Sequence, residues 1–141
     1  MKQNLLIVDD EPDILDFLER VFRKEYTIHR AERGDRALEI LKETNIDILI
    51  TDQKMPGMTG LDLLAAISKT LPEGDSIVKV LLSGYAEVPE IVKAIQRYGI
   101  HQYVVKPIDS KRLRQAVVEA KKRCMSASGD WVLTRGTDPG F

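Results

Sequence analysis

The chain has 141 residues, the size of a single ordinary domain. Its 21 Lys and Arg residues nearly balance its 22 Asp and Glu residues, so its charge gives no reason to expect a nucleic-acid or membrane surface. The single cysteine, Cys124, excludes an intramolecular disulfide and suits the reducing cytoplasm. We find no apolar run long enough to cross a bilayer, and the first residues do not resemble a signal peptide.

Five short apolar runs alternate with longer helical patterns along the chain. This alternation predicts an α/β domain in which helices cover both faces of a parallel sheet. The first run is apolar on both faces, as in a central strand, whereas the second alternates in character and indicates an edge strand. The predicted strands are Leu5–Val8, Tyr26–Ala31, Ile46–Ile50, Ile77–Leu82 and His101–Val105.

The helical segments are recognised by apolar residues at helical spacing. Pro12 suits the first turn of the first helix, and Gly99 is placed to end the fourth. Asp109 or Ser110 should cap the fifth helix. The predicted helices are Glu11–Arg23, Asp35–Lys42, Gly60–Lys69, Val88–Arg97 and Asp109–Arg123.

The character of the sequence changes after Cys124, where residues rich in Ser, Gly and Thr follow without a period. We therefore predict a folded domain over residues 1–124 and a tail or the start of a linker over residues 125–141. The basic residues Lys121, Lys122 and Arg123 close the last helix, where the helix dipole favours cations, and we interpret them as a solvated face.

Polar residues follow four of the predicted strands at the same position in each unit. In an open α/β sheet, ligands bind at the carboxyl ends of the strands. We therefore expect three carboxylates, one hydroxyl and one ammonium group to converge at one edge, rather than to be scattered solvated loop charges. These residues are Asp9, Asp10, Asp52, Ser83 and Lys106.

Three carboxylates in one site repel each other, and a divalent cation removes that penalty. Ligation by oxygen alone favours a hard ion such as Mg²⁺. Lys106 could pair with a carboxylate or with a phosphoryl oxygen, and Ser83 could donate a hydrogen bond to the same oxygen. A nucleophile, a metal, a cation and a donor are the parts that phosphoryl transfer requires, and Asp52 is the best candidate nucleophile.

The motifs around these residues resemble those of response-regulator receiver domains of two-component signalling, the class of the chemotaxis regulator. The resemblance covers roughly residues 3–123 and implies a flavodoxin-like, doubly wound, five-stranded parallel sheet of order 2-1-3-4-5. The segments that carry it are Leu6–Glu11, Asp52–Gly60, Leu82–Ala86 and Tyr103–Pro107.

The resemblance also implies roles at the site. Asp52 would accept a phosphoryl group from a sensor histidine kinase or a histidine phosphotransfer protein. Asp10 would bind Mg²⁺ or Mn²⁺ directly, Asp9 would bind it mainly through water, and the backbone carbonyl of Lys54 would be a further ligand. Lys106 would contact the phosphoryl group, and the peptide that follows it would be cis. The domain would catalyse only its own phosphorylation and dephosphorylation.

The same resemblance implies a switch. Ser83 would follow the phosphoryl group inward and Tyr103 would rotate in behind it, which changes the face formed by the fourth helix, the fifth strand and the fifth helix. An ordinary strand aromatic is the alternative for Tyr103. Gly84 would leave a path to the phosphoryl group, and Lys54 and Tyr85 would tune its lifetime.

The first predicted helix has two apolar stripes, and one of them should face the core. Leu15, Leu18 and Phe22 form that stripe by resemblance, and the other lies near the acidic site where histidine kinases dock. The alternative is that both stripes belong to the core. The predicted docking residues are Ile14, Phe17 and Pro107.

The output of the switch is left open by the sequence. The chain could be the receiver part of a longer response regulator whose output domain binds DNA or acts as an enzyme, such as a cyclic-dinucleotide phosphodiesterase. It could instead be a stand-alone regulator or a phosphorelay intermediate.

An aspartate-nucleophile phosphatase is disfavoured, because Lys54 occupies the position of its second aspartate. We expect no direct binding of nucleic acid or membrane. A phosphorylation-dependent homodimer is a further option, although Gln102 stands where one dimerising branch usually has an acidic residue.

Overall fold

The computed structural model describes residues 2–84, 93 and 97–126. Its five strands form one parallel sheet in the order β2-β1-β3-β4-β5, which confirms the predicted fold. β2 lies at one edge, as its alternating pattern predicted. The strands are β1 (Gln3–Val8), β2 (Tyr26–Ala31), β3 (Ile48–Asp52), β4 (Val78–Ser83) and β5 (Gln102–Val105).

Helices connect the strands. Most of the predicted Val88–Arg97 helix and the predicted role of Tyr85 lie outside the described residues. Residues 93, 97 and 98 are helical, and Gly99 has a φ of 69°, the left-handed conformation of a glycine that ends a helix. The other helices are α1 (Pro12–Phe22), α2 (Gly34–Glu43), α3 (Gly60–Thr70), a 3₁₀ turn (Gly74–Ser76) and the C-terminal helix (Ser110–Ser126).

The sheet separates two apolar clusters, because successive side chains of a strand point to opposite faces. Leu5 and Ile7 of β1 pack in the cluster that contains the buried residues of α1 and the C-terminal helix. Leu6 and Val8 pack on the other side, with the buried residues of α2 and α3. Burial on both faces explains why the central strands are continuously apolar in sequence.

Two strands extend further than their apolar residues predicted. Ile46 is buried but precedes β3, and the ladder continues through polar residues, since Thr51 pairs with Val8 and Asp52 with Leu82. Asp52 and Ser83 are consequently the last residues of β3 and β4, rather than the first residues after them. The apolar pattern in the sequence indicates which residues are buried, whereas backbone pairing determines where each strand begins and ends.

The end of the last helix corrects a second expectation. Arg123 is only 4% exposed and donates a hydrogen bond to the carbonyl of His101 at 3.1 Å, so it is not part of a solvated face. Lys121 places its Nζ 4.7 Å from the centroid of the Tyr26 ring. The helix continues through Ser126, and its first turn is capped by Asp109, whose carboxylate accepts from the Arg112 amide at 2.9 Å.

Candidate functional site

Three carboxylates meet where β1 and β3 end. Asp9 and Asp10 follow β1, and Asp52 is the last residue of β3. The parallel pairing of Val8 with Thr51 brings these ends side by side. One oxygen from each carboxylate lies within 4.8 Å of the others. Asp9 and Asp52 are buried and Asp10 is half-buried, so the cluster is largely shielded from water.

The two oxygens of Asp9 differ in their surroundings. Oδ1 accepts a hydrogen bond from the Glu11 amide at 2.9 Å. Oδ2 is buried and meets no hydrogen-bond donor among the described residues, and the Lys106 Nζ lies 3.9 Å from it. Burial, supported by the charges of Asp52 and Asp10, raises the pKa of Asp9 to about 6, despite the opposing hydrogen bond from Glu11. A buried carboxylate oxygen without a donor fits a bound cation.

Lys106 supplies the positive charge of the site. It follows β5, where its amide donates to the carbonyl of Ser83 at 2.8 Å, and its Nζ lies 2.9 Å from Oδ1 of Asp52. Burial lowers the pKa of Lys106, but the hydrogen bond with Asp52 and the charges of Asp52 and Asp9 outweigh it and raise that pKa above its ordinary value. The ammonium group therefore stays charged. The peptide between Lys106 and Pro107 is cis, as predicted.

The predicted switch residues lie on neighbouring strands. Ser83 ends β4, is buried, and pairs with Val105 of β5. Tyr103 lies on β5 and packs, partly buried, against the cluster on the α2 and α3 side of the sheet. A side chain at Gly84 would meet nothing within 4 Å among the described residues.

The predicted docking residues differ in their exposure. Leu15, Leu18 and Phe22 are buried, as predicted for the core stripe of α1. Ile14 and Phe17 pack, half-buried, against the same cluster, so they belong neither wholly to the core nor wholly to the surface. The exposed one of the docking set is Pro107.

Sequence reasoning gave no role to Gln53, the residue after Asp52. Its side-chain oxygen accepts from the Leu61 amide at 2.8 Å, across the loop that follows β3. The sequence offered only a polar residue directly after Asp52. Its hydrogen-bond partner, Leu61, lies eight positions further along the chain, in the next helix. Contacts of this kind depend on how a loop closes, which apolar periodicity does not report.

Helices long and apolar enough to span a membrane are absent from the part of the chain that the structure describes.

The chain matches the family model for the response regulator receiver domain over residues 5–118. It is 31% identical to the signal receiver domain of an HD domain-containing protein from Pseudomonas fluorescens Pf-5. That crystal structure superimposes with a TM-score of 0.78, and the match covers 89% of this chain and 99% of the other. Receiver domains are signalling domains rather than metabolic enzymes; phosphorylation and Mg²⁺ binding at an acidic pocket are typical of the family.

Two curated relatives differ in how much of their length is matched. The hydrogenase transcriptional regulatory protein HoxA of Cupriavidus necator is 33% identical over 103 residues, which are 73% of this chain but 21% of that protein. The sporulation initiation phosphotransferase F of Bacillus subtilis is 32% identical over 118 residues, which are 83% of this chain and 92% of that protein. With its fold, its carboxylates and these matches, the chain belongs to the response-regulator receiver domain family of two-component signalling.

Proposed function

We propose that Asp52 is the phosphoacceptor of this receiver domain. The observation that carries the proposal is the pairing of its buried carboxylate with the Lys106 ammonium group at 2.9 Å, beside Asp9 and Asp10. The phosphodonor is a sensor histidine kinase or a histidine phosphotransfer protein, as is typical of the family. An Asp52 oxygen attacks the phosphorus, the phosphorus–nitrogen bond breaks, and its electron pair stays on the imidazole nitrogen of the donor.

The three carboxylates, with the backbone carbonyl of Lys54, would hold Mg²⁺ or Mn²⁺. The fit rests on the chemistry of the donors, which are all oxygen, and on the buried Oδ2 of Asp9, which lacks a hydrogen-bond donor among the described residues. When bound, the ion would offset the charge of the carboxylates and of the incoming phosphoryl oxygens.

Lys106 and Ser83 complete the device. Lys106 holds its charge beside Asp52, where the phosphoryl oxygens arrive, and lowers the cost of gathering negative charge there. The Ser83 hydroxyl donates to a phosphoryl oxygen, and Tyr103 on the neighbouring strand follows its movement. The domain promotes its own phosphorylation and dephosphorylation, and the face that includes β5 and the C-terminal helix transmits the result.

In this proposal the receiver occupies residues 1–124, its last helix runs on through Ser126, and residues 125–141 belong to a tail or to the start of a linker to an output domain. This proposal is supported by two transcriptional regulators, HoxA and Escherichia coli GlrR, of which the matched segments are 21% and 28%. A stand-alone regulator or phosphorelay intermediate is favoured by the 92% coverage of sporulation initiation phosphotransferase F.

Ile14, Phe17 and Pro107 form the docking surface for the phosphodonor. The free Cys124 supports a cytoplasmic location.

Incubation with a small phosphodonor and Mg²⁺ tests the assignment. We expect one acid-labile phosphoryl group per chain, detected by intact-protein mass spectrometry. Asp52→Asn should abolish its uptake, whereas Asp13→Asn, at an exposed position of α1, should leave it unchanged. Equal labelling of Asp52→Asn and the parent chain would show that another residue is the acceptor.

A further inference from the structure

Gln53 lies at the junction of β3, β4 and α3, immediately after Asp52. Its amide donates to the carbonyl of Leu82 in β4 at 2.9 Å. Its own carbonyl accepts from the Gly60 amide at 3.0 Å, and its side-chain Oε1 accepts from the Leu61 amide at 2.8 Å. One residue therefore ties the end of β3 both to the neighbouring strand and to the first turn of α3.

These two accepted hydrogen bonds close the loop between β3 and α3. The loop ends pass in contact, because a side chain at Gly60 would place its Cβ 2.4 Å from the carbonyl oxygen of Asp52. Within the loop, Met55 is buried in the core, and Met58 fills the space beside Gly34, where an added Cβ would lie 2.5 Å from its sulfur. The loop backbone is thus fixed from both sides.

Gln53 is not needed merely to start α3. The helix already has a capping box, in which the Asp62 amide donates to Oγ1 of Thr59 at 3.1 Å and the Thr59 amide donates to Asp62 Oδ2 at 3.0 Å. The bond from Leu61 adds a second anchor, and that anchor is the one that reaches back to the residue beside Asp52. Because Gln53 directly precedes Lys54, this anchor restrains the backbone that leads to the Lys54 carbonyl.

We propose that Gln53 is a positioning residue of the metal site. Its side chain fixes the direction of the backbone after Asp52, and with it the Lys54 carbonyl that completes the ligand set. The inference rests on the proposed function, since it requires a cation at Asp9, Asp10 and Asp52. Residues behind a ligand affect metal affinity strongly, because they determine whether the ligand is already oriented before the ion arrives.

The test compares Mg²⁺ affinity in variants of the full chain. Gln53→Met keeps the length of the side chain and removes its acceptor, and it should weaken Mg²⁺ binding by about tenfold, the lower end of the range for supporting residues. Gln53→Glu keeps the acceptor and should bind Mg²⁺ no more weakly than the parent chain. The dissociation constant is measured by following amide chemical shifts during a Mg²⁺ titration, and the melting temperature of each variant is recorded beside it.

Thr59→Val is the matched control, because it removes the other acceptor that caps α3. It should lower the melting temperature to a similar extent as Gln53→Met while leaving Mg²⁺ affinity unchanged. Equal loss of affinity in both variants would reduce Gln53 to a helix cap and overturn the inference. Parent-like affinity in Gln53→Met would also overturn it. If the parent chain itself bound no Mg²⁺, or Asp10→Asn bound it as well as the parent, the proposed metal site would fail first.

Discussion

At the scale of single residues, Asp9 shows what the site costs the folded protein. Its pKa is raised from 3.8 to about 6, chiefly by burial, so the folded state binds this proton more tightly than the unfolded state does. The associated stability is fully present below about pH 4 and is lost as the pH rises through 6. At neutral pH the ionised Asp9 therefore costs the fold about 3 kcal/mol.

We expect Asp9→Asn to stabilise the chain at pH 7 in the absence of divalent cations, by about 1–3 kcal/mol. The neutral amide retains an acceptor for the Glu11 amide and removes the buried charge. The gain should shrink as the pH falls and nearly vanish near pH 4, because Asp9 is then protonated in the folded parent. Urea unfolding across this range measures it.

Asp13→Asn, at an exposed position, provides the comparison and should change stability little at any of these pH values. A loss of stability on Asp9→Asn at pH 7 would contradict the proposed cost. Added Mg²⁺ should make the parent chain more stable than Asp9→Asn, since only the parent chain, with its full set of carboxylates, gains stability from binding the ion.

At the scale of elements, α1 separates what sequence could predict from what it could not. Its helical spacing correctly identified Leu15, Leu18 and Phe22 as core. Helical spacing could not predict how far Ile14 and Phe17 are buried, because partial burial depends on where neighbouring elements end. Similarly, the sequence predicted a solvated Arg123, because it could not show that the His101 carbonyl, just before β5, accepts a hydrogen bond from its side chain.

Ile14→Thr tests whether the half-buried side of α1 receives the phosphodonor. We expect phosphotransfer from a histidine kinase or phosphotransfer protein to slow, while uptake from a small phosphodonor stays unchanged, because the chemistry at Asp52 is intact. The free energy of unfolding should fall by no more than about 1 kcal/mol, since the side chain is only partly buried. Quenched time courses of phosphotransfer give the rate, and urea unfolding gives the free energy of unfolding.

Leu15→Ala is the control on the core side of the same helix. Its side chain is buried, so the substitution should cost about 2–5 kcal/mol of stability while the folded fraction still accepts phosphate from the protein donor. Equal rates for Ile14→Thr and the parent with the protein donor would place Ile14 in the core alone.

At the scale of the whole molecule, groups at the two ends of the sheet make stability depend on pH in opposite ways. Asp9 lies at the carboxyl ends of the strands, and His101 lies at their amino ends. His101 lies immediately before β5, where its Nδ1 accepts from the Lys79 amide at 3.0 Å. Burial, with the charges of Lys79 and Arg123, lowers the pKa of His101 to about 4. Between pH 4 and 6.5 the unfolded state therefore binds more protons at this residue, and stability rises with pH.

The sequence concealed this second end, because a lysine within an apolar strand pattern gives no sign of its burial. Lys79 is accommodated only because its Nζ donates to the carbonyls of Gly74 and Ile77, at 2.5 and 3.0 Å. Gly74 begins the 3₁₀ turn before β4, and Ile77, which the sequence predicted as the first residue of that strand, lies between the turn and the strand. The carboxylate end was predictable because its residues repeat one position in successive units, whereas the Lys79–His101 end has no such repetition.

Because Asp9 and His101 oppose each other, we expect a rather flat stability profile for the parent chain between pH 4 and 6.5. Asp9→Asn should expose the contribution of His101, a fall of about 3 kcal/mol as the pH is lowered across this range. Adding His101→Asn, which offers an acceptor but does not titrate near these pH values, should remove most of that fall. Urea unfolding of the single and double variants tests this, and equal slopes in both would contradict it.

The C-terminal helix begins at Ser110, four residues after Lys106, whose Nζ contacts Asp52, and Arg123 near the other end of the helix donates to the carbonyl of His101. Its span of about 25 Å follows from 1.5 Å per residue. Ser126, where the described helix ends, therefore lies at the far end of that helix from Lys106 and Pro107. A displacement of β5 would be carried to that end of the helix through the hydrogen bond that Arg123 donates to the His101 carbonyl, immediately before β5.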